Sequence, residues 1–242
     1  MTPLDIGRVR RALPEKRIEY CQTVDSTMNA AVRLELGAAL VAEEQTAGQG
    51  RHGRPWHSEP GSGIYCSVVL APSPALTLAL GLAAQNAIFQ ATGLHCDLRW
   101  PNDLMLGGKK VGGILARTGD GRAIAGIGIN VNQESFPPEL AGEAISLRQW
   151  GRTGGPALSR EDILAALLRA VDIHAALPRS DILRLFTECS SYARGRHVVV
   201  QQADGVIEGV TACLDPSGFL IVRRDDGTDT LILAGGVRAA GA

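Results

Sequence analysis

The segment 48–63, GQGRHGRPWHSEPGSG, rules out the fold that its first six letters suggest. Gly48-Gln49-Gly50-Arg51-His52-Gly53 matches G-x-G-x-x-G, the glycine pattern of a dinucleotide-binding turn. That turn works only where a strand runs directly into a helix, because the pyrophosphate rests on the helix N-terminus. Residues 38–44, AALVAEE, can supply the strand. A helix cannot follow: Pro55 and Pro60 each remove a backbone donor, and Gly61 and Gly63 lower helix propensity further. A nicotinamide oxidoreductase on a parallel sheet is therefore disfavoured. A nucleotide-binding P-loop is disfavoured too. The pattern G-x-x-x-x-G-K-[ST] is absent, and GGKKVGG (107–113) has the lysines without the spacing.

What remains is a glycine-rich loop with two forked cations. Arg51 and Arg54 suit phosphate, and the glycines let the backbone approach a ligand closely. A loop of this length is either functional or a mobile surface segment. Trp56 favours function, because a large aromatic serves as a lid or a stacking surface.

The flanking sequence predicts both strands and helices. GIYCSVVL (63–70) is β-branched and aromatic. KVGGILAR (110–117) and AIAGIGINVN (123–132) flank Thr118-Gly119-Asp120-Gly121, which predicts a hairpin and hence antiparallel pairing. Helices are expected over 25–36, ending at Gly37, and over 74–92, ending at Gly93. Two more are expected over 159–177, opened by Ser159-Arg160-Glu161-Asp162 as a capping box, and over 180–188. Beyond residue 190 the helices stop. RHVVVQQ, GVIEGVTACLD, GFLIVRR and TDTLILAGGV read as four strands, separated by Ala203-Asp204-Gly205, Asp215-Pro216-Ser217-Gly218 and Asp225-Asp226-Gly227. The expected organisation is an α+β unit over 1–190 and a small barrel-like β module over 191–242.

Charge sets limits on partners. Lys and Arg total 24 against 25 Asp and Glu, so the chain has no overall attraction to nucleic acid or anionic membrane. The five cysteines form no C-x-x-C pair, which argues against both a zinc site and a disulfide framework. No apolar run follows a basic N-terminus, and the apolar stretch 75–91 is interrupted by Gln85, Asn86 and Gln90. The expectation is a cytoplasmic protein with neither membrane nor nucleic-acid partners.

A second cluster lies at 99–115, RWPNDLMLGGKKVGGIL. Asn102 and Asp103 suit either a turn or a ligand contact. Lys110 enters an otherwise apolar strand, either as a solvated edge charge or as a cation aimed into a cleft.

The order of these pieces carries more than any one of them. Asp25-Ser26-Thr27, Glu44 through Trp56, Arg99 through Asp103, Lys110 through Leu115, and Gly126-Ile127-Gly128-Ile129-Asn130 follow one another. The series closely resembles the biotin protein ligases over about residues 20–150. The resemblance implies a class II aminoacyl-tRNA synthetase-like catalytic domain with a mixed sheet, followed by a small SH3-like β-barrel. It implies that biotin attacks the α-phosphate of ATP to give biotinyl-5′-AMP. The acyl group then passes to a lysine of a biotin carboxyl carrier protein, with Mg²⁺ as cofactor.

The implied biotin contacts are Ser26, Thr27, Gln45, Gln49, Gly50, Arg51, Lys110 and Gly113. A neutral urea head needs such neutral donors and acceptors in a mostly apolar pocket. The implied nucleotide contacts are Arg51, Arg54, Trp56, Asn102, Asp103 and Asn130, with Asp103 also a ligand for Mg²⁺. Lys110 and Arg51 are the implied catalytic residues. Lys110 would bridge two anions that otherwise repel, and the loop would shield a hydrolysable anhydride from water.

Two departures stand out. Met28 follows Ser26-Thr27 where the family often has Asn, and Gln49 replaces the first arginine of the family loop. Only residues 1–24 precede Asp25, too few for the helix-turn-helix domain of bifunctional members, so a monofunctional ligase is expected, as monomer or homodimer. Lipoate ligation is the nearest alternative, but the Ser26, Thr27 and Gln45 set suits a urea better. A non-catalytic sensor would not need both Arg51 and Lys110.

Overall fold

Seven strands of the first 129 residues form one sheet, and five of the last 46 form another. A computed structural model describes residues 2–151, 156–202 and 205–240. The chain runs α1 (Ile6–Ala12), β1 (Ile18–Val24), α2 (Thr27–Ala31), β2 (Ala39–Gln45), β3 (Ile64–Leu70), α3 (Leu76–Thr92), β4 (Asp97–Arg99), β5 (Asp103–Leu106), β6 (Lys109–Gly119) and β7 (Arg122–Ile129). It continues α4 (Leu147–Gly151), α5 (Arg160–Ala175), α6 (Arg179–Cys189), β8 (His197–Gln202), β9 (Gly205–Leu214), β10 (Leu220–Arg223), β11 (Asp229–Ile232) and β12 (Gly236–Ala239).

The first sheet has the order β1-β2-β3-β7-β6-β5-β4. Only β1 and β2 are parallel, so it is mixed, as expected, and not doubly wound. The predicted hairpin joins β6 to β7 through Asp120 (φ 50°) and Gly121 (φ 72°), the two positive φ values that a tight hairpin turn demands. The 74–92 helix appears as α3 and ends on left-handed Gly93. The expected capping serine holds: Ser159 Oγ accepts the Asp162 N–H at 3.1 Å and starts α5.

The chain turns over residues 100–102, as Asn102 suggested, and Asp103 begins strand β5 directly after it. Two expectations are corrected. The helix over 25–36 shrinks to α2; beyond Ala31, Leu34 is buried against Leu40 and Val69, but Val32 and Leu36 are exposed, so the run keeps no continuous helical face. The last predicted strand is two, because the chain turns at Gly235 (φ 135°) and β12 pairs with β8 instead of extending β11. The second sheet is thus five-stranded and antiparallel, in the order β11-β10-β9-β8-β12. Ala203 and Asp204, part of a predicted turn, lie outside the described residues.

Helices α3, α5 and α6 pack on one face of the first sheet, around Val41, Cys66, Val68, Ile114, Ala125 and Ile127. The short α2 covers part of the other face, over Leu40 and Val69. The helical face contains a buried ion pair. Arg160 Nη1 of α5 lies 2.9 Å from Glu43 Oε2 of β2, with the two side chains 6% and 1% exposed. Glu43 also accepts from the Leu4 N–H at 2.5 Å, the Gly61 N–H at 3.1 Å and the Tyr20 hydroxyl at 3.0 Å. Arg160 donates to the carbonyls of Gly63 and Thr2. The pair therefore ties the N-terminal segment, β2, the end of the 48–63 loop and α5 together. Burial pushes the Glu43 carboxyl up, but Arg160 and the donors around it outweigh this and hold it below its ordinary value of 4.5.

Replacing Arg160 with Ala leaves a buried, unpaired carboxylate, and the expected loss in unfolding free energy by urea titration is about 3–5 kcal/mol. A depressed carboxyl stabilises the fold above its ordinary value and loses that contribution as pH falls below 4.5. The acid limb of stability against pH is therefore expected to be shallower in Glu43→Gln than in wild type.

Candidate active site

The open face of the first sheet is floored by glycine. Gly113 of β6 pairs with Gly128 of β7, and Gly126 pairs with Ser67 of β3. Directly paired residues share a face, so the three glycines leave a trough beside the small Ser67 side chain. Other side chains fill it. A Cβ at Gly128 would lie 2.5 Å from Trp56 Cε2, and one at Gly126 would lie 2.9 Å from Met28 Cγ. Alternation of glycines in AGIGIN was the sequence signal for this floor.

A bulge aims the lysine. Asp103 pairs with Gly113 and Leu104 with Gly112, but Met105 pairs with Lys110, so Val111 is passed over. An extra residue reverses the alternation. Lys110 consequently shares a face with Gly113, where a Cβ would sit 3.0 Å from Lys110 Nζ. There Nζ forms an ion pair with Asp103 Oδ1 at 2.6 Å and lies 5.5 Å from the centre of the Trp56 ring. Arg99 grips the other oxygen of Asp103 through Nε (3.1 Å) and Nη2 (2.7 Å). Burial pushes the Asp103 carboxyl up, but Lys110 and Arg99 outweigh it and hold it below the usual range.

Arg51 reaches the same place from the loop. Gly50 N–H donates to the Arg54 carbonyl at 2.7 Å and Trp56 N–H to the Gly48 carbonyl at 2.9 Å, so residues 48–56 form a narrow ribbon. A single 3-10 turn, Arg51–Gly53, closes its tip. Arg51 Nη1 donates to Asn102 Oδ1 at 3.0 Å and approaches the carbonyl of Gly235, in the turn between β11 and β12, at 3.5 Å. Burial lowers the Arg51 guanidinium below its ordinary value despite nearby Asp103, and Arg54 adds repulsion. An anion at this point relieves both. Trp56 Nε1 is buried without a hydrogen-bond partner among the described residues.

At the other end of the trough lie neutral polar groups. Ser26, 2% exposed, occupies the N-cap of α2 without making a capping bond. The Thr27 N–H (2.9 Å) and hydroxyl (3.0 Å) both donate to Gln45 Oε1. Gln45 Nε2 donates to Ser58 Oγ at 3.1 Å, and Ser67 Oγ donates to Thr27 Oγ1 at 2.8 Å. One face thus presents a neutral polar pocket, an aromatic wall and two cations in a row, an arrangement that can hold a small acid next to a phosphate.

Residues 18–134 match the biotin/lipoate A/B protein ligase family. The chain is 33% identical over 233 residues to the bifunctional ligase/repressor BirA of Bacillus spizizenii, covering 86% of this chain and 70% of that protein. It is 32% identical to the biotin–[acetyl-CoA-carboxylase] ligase of Mycobacterium tuberculosis, covering 83% and 77%. The chain belongs to the biotin/lipoate protein ligase family. Its fold superimposes on the biotin protein ligase of Aquifex aeolicus in complex with biotin and ATP with a TM-score of 0.82, at 29% identity, over 93% of this chain and 99% of that one.

Within this family frame, the expected residues fall into two groups. Thr27, Gln45, Trp56, Lys110 and Gly113 line or border the trough, with Ser26 directly before Thr27 at the N-cap of α2 and Gly50 and Arg51 in the adjoining loop. Asn102 is spent on positioning: its Nδ2 donates to the Ile114 carbonyl at 3.0 Å while its Oδ1 holds Arg51. Asn130 donates to the Ile145 carbonyl at 3.2 Å and joins β7 to the following segment. Gln49 accepts from Arg117 of β6, and Arg54 is exposed. Asp103 does not fit as a Mg²⁺ ligand in this arrangement, because both of its oxygens face cations. No group of three or more His, Cys, Asp or Glu side chains among the described residues could hold a metal. Sequence reasoning missed Arg99, Ser58 and Ser67, whose roles depend on cross-strand neighbours.

Removing the Asn102 side chain should release Arg51. A hydrogen bond to a charged group contributes about 1.5–3 kcal/mol. Trypsin cleavage after Arg51 is therefore expected to accelerate roughly tenfold or more in Asn102→Ala. An unchanged cleavage rate at that bond would show that Asn102 does not hold the loop.

Proposed function

We propose that this chain is an ATP-dependent ligase that activates biotin as biotinyl-5′-AMP and attaches it to a lysine of a biotin carboxyl carrier protein. The observation that carries this reading is the row formed by the neutral Thr27–Gln45 pocket, the Trp56 wall and the Lys110 and Arg51 cations. The biotin ligases among its relatives, such as that of Mycobacterium tuberculosis at 32% identity, support biotin over lipoate within the shared family.

In the first step a biotin carboxylate oxygen attacks the α-phosphorus of ATP. A P–O bond forms, the bond to the β-phosphate bridging oxygen breaks, and pyrophosphate leaves. Both reactants are anionic, so the barrier contains a large repulsive contribution. Lys110 has three donors, and Asp103 orients the ammonium through one side. The remaining donors serve the carboxylate and an α-phosphate oxygen, and their attraction grows as charge accumulates in the transition state. Arg51 exchanges the Asn102 and Gly235 oxygens for the phosphate. Mg²⁺, when present, would neutralise the departing pyrophosphate, and no residue here is assigned to it.

Trp56 covers the adenylate and keeps water from the mixed anhydride. In the second step the carrier lysine amine attacks the acyl carbon. An amide bond forms, the C–O bond to AMP breaks, AMP leaves and the amine loses a proton. No covalent enzyme intermediate is needed. In this reading residues 1–190 form the catalytic unit and 191–242 the SH3-like module.

Radiolabelled biotin, supplied with ATP and Mg²⁺, is expected to become attached to a purified carrier domain; a well-folded enzyme that transfers none would overturn the reading. In Lys110→Ala, biotin is expected to bind while adenylate formation, followed by pyrophosphate release, falls about a hundredfold or more. In Arg51→Gly, escaping adenylate is expected to label lysines on bystander proteins.

A further inference from the structure

The polar end of the trough has a direction, and one backbone group sets it. The Thr27 N–H can only donate, so the Gln45 atom 2.9 Å away must be the carboxamide oxygen. That oxygen only accepts, so the Thr27 hydroxyl, 3.0 Å from it, must spend its single hydrogen there. The contact between Ser67 and Thr27, 2.8 Å, must then be a donation from Ser67. On the far side, Gln45 Nε2 can only donate, so Ser58 Oγ accepts. The chain Ser67→Thr27→Gln45→Ser58 therefore runs one way. It begins on a fully buried serine of β3, 0% exposed, and its uncommitted hydrogens, one on Gln45 Nε2 and one on Ser58, lie at its end.

The buried end is dry. Thr27 is 2% exposed and Met28 is 5% exposed. Ser67 faces glycine rather than a second polar side chain, since a Cβ at Gly126 would meet Ser67 Oγ at 3.6 Å and Met28 Sδ at 3.0 Å. In such surroundings each hydrogen bond polarises the next, and an unmatched polar atom is costly. Two Thr27 donors hold the Gln45 carboxamide. Ser67 commits the second of them, because with the Ser67 hydrogen on its lone pair the Thr27 hydroxyl has no better use for its own.

We propose that Ser67 is a positioning residue for substrate selection: through Thr27 it fixes the Gln45 carboxamide with its NH₂ toward the ligand, so that the pocket reads a carbonyl-type acceptor. This rests on the biotin reading above, in which Gln45 meets the urea head. It explains how a site with few charges separates a urea from a head group of the same shape but opposite hydrogen-bonding polarity. Ser67 does not touch the ligand; it acts through Thr27 and Gln45.

The test uses steady-state kinetics of the full-length chain with two ligands: biotin, and the analogue whose urea carbonyl oxygen is replaced by an imino nitrogen, which presents donors instead of an acceptor. Ser67→Ala is expected to raise KM for biotin about five- to tenfold, the effect of one buried hydrogen bond. The KM for ATP and kcat are expected to hold, and the preference for biotin over the imino analogue to narrow. In a Thr27→Val background the same Ser67 change is expected to have no further effect on the KM for biotin. Ser67→Cys, which keeps the shape with a weak donor, is expected to fall between, and serves if the alanine variant folds poorly. An unchanged KM for biotin in Ser67→Ala, or an equal rise in the Thr27→Val background, would overturn the positioning role. Wild-type turnover is measured first: a wild type that does not use biotin overturns the parent reading and this one together, whereas normal wild-type turnover with an unaffected Ser67→Ala overturns this one alone.

Discussion

A single carboxylate, Asp103, organises the cations of this site. Arg99 takes one of its oxygens and Lys110 the other, so that the lysine is held over the glycine floor rather than extended into solvent. The electrostatics close only because all three are present. Burial by itself disfavours the charged form of the acid, and two adjacent cations reverse that. An ammonium pinned in this way needs little reorganisation when a second anion arrives, which is the condition for electrostatic catalysis to be effective. Arg51 completes the set, held nearby by Asn102.

The floor beneath these groups is as specific as the charges above it. Gly113, Gly126 and Gly128 have no side chains, and the space they leave is taken by Lys110, Met28 and Trp56. The loop that carries Trp56 and Arg51 is tied at its base by backbone bonds between Gly48 and Trp56 and between Gly50 and Arg54. Its tip has the left-handed backbone, at His52 (φ 57°) and Gly53 (φ 70°), that a tight turn requires. Behind the sheet the buried Glu43–Arg160 pair locks α5 to β2 and to the end of that loop. The same β2 thus connects the helical core to Gln45 in the pocket.

Much of this was legible from local chemistry. The prolines and glycines after Gly53 excluded a dinucleotide-binding helix, and the observed mixed sheet agrees. The Asp120-Gly121 hairpin and the end of α3 at Gly93 follow from turn and cap preferences that act over a few residues. The failures were of a different kind. The apolar pattern after Ala31 predicted more helix than forms: Leu34 does find a partner surface, but Val32 and Leu36 are exposed, and periodicity cannot tell which apolar positions will be covered. The run TLILAGG read as one strand, although the chain turns at Gly235 to reach β8; the backbone there passes so close to Gln201 that a Cβ would lie 2.8 Å from its carbonyl. Asn102 and Asp103 read equally as turn residues or ligand contacts, and their partners, Arg51 and Lys110, decide between positioning and chemistry.

By itself the sequence determined many of the strands and helices, which loop is glycine-rich and cationic, and, through the order of its motifs, the family to which the chain belongs. These depend on residue type and short-range spacing. Tertiary structure alone decided how those residues meet. The passed-over Val111 turns Lys110 onto the face of Gly113, and register brings Ser67 under Thr27. Strand register sets every side chain on one face or the other, and a one-residue shift reverses the outcome. Register arises from pairing between strands far apart in the chain, so no local reading of residues 99–115 could place the lysine beside the aspartate.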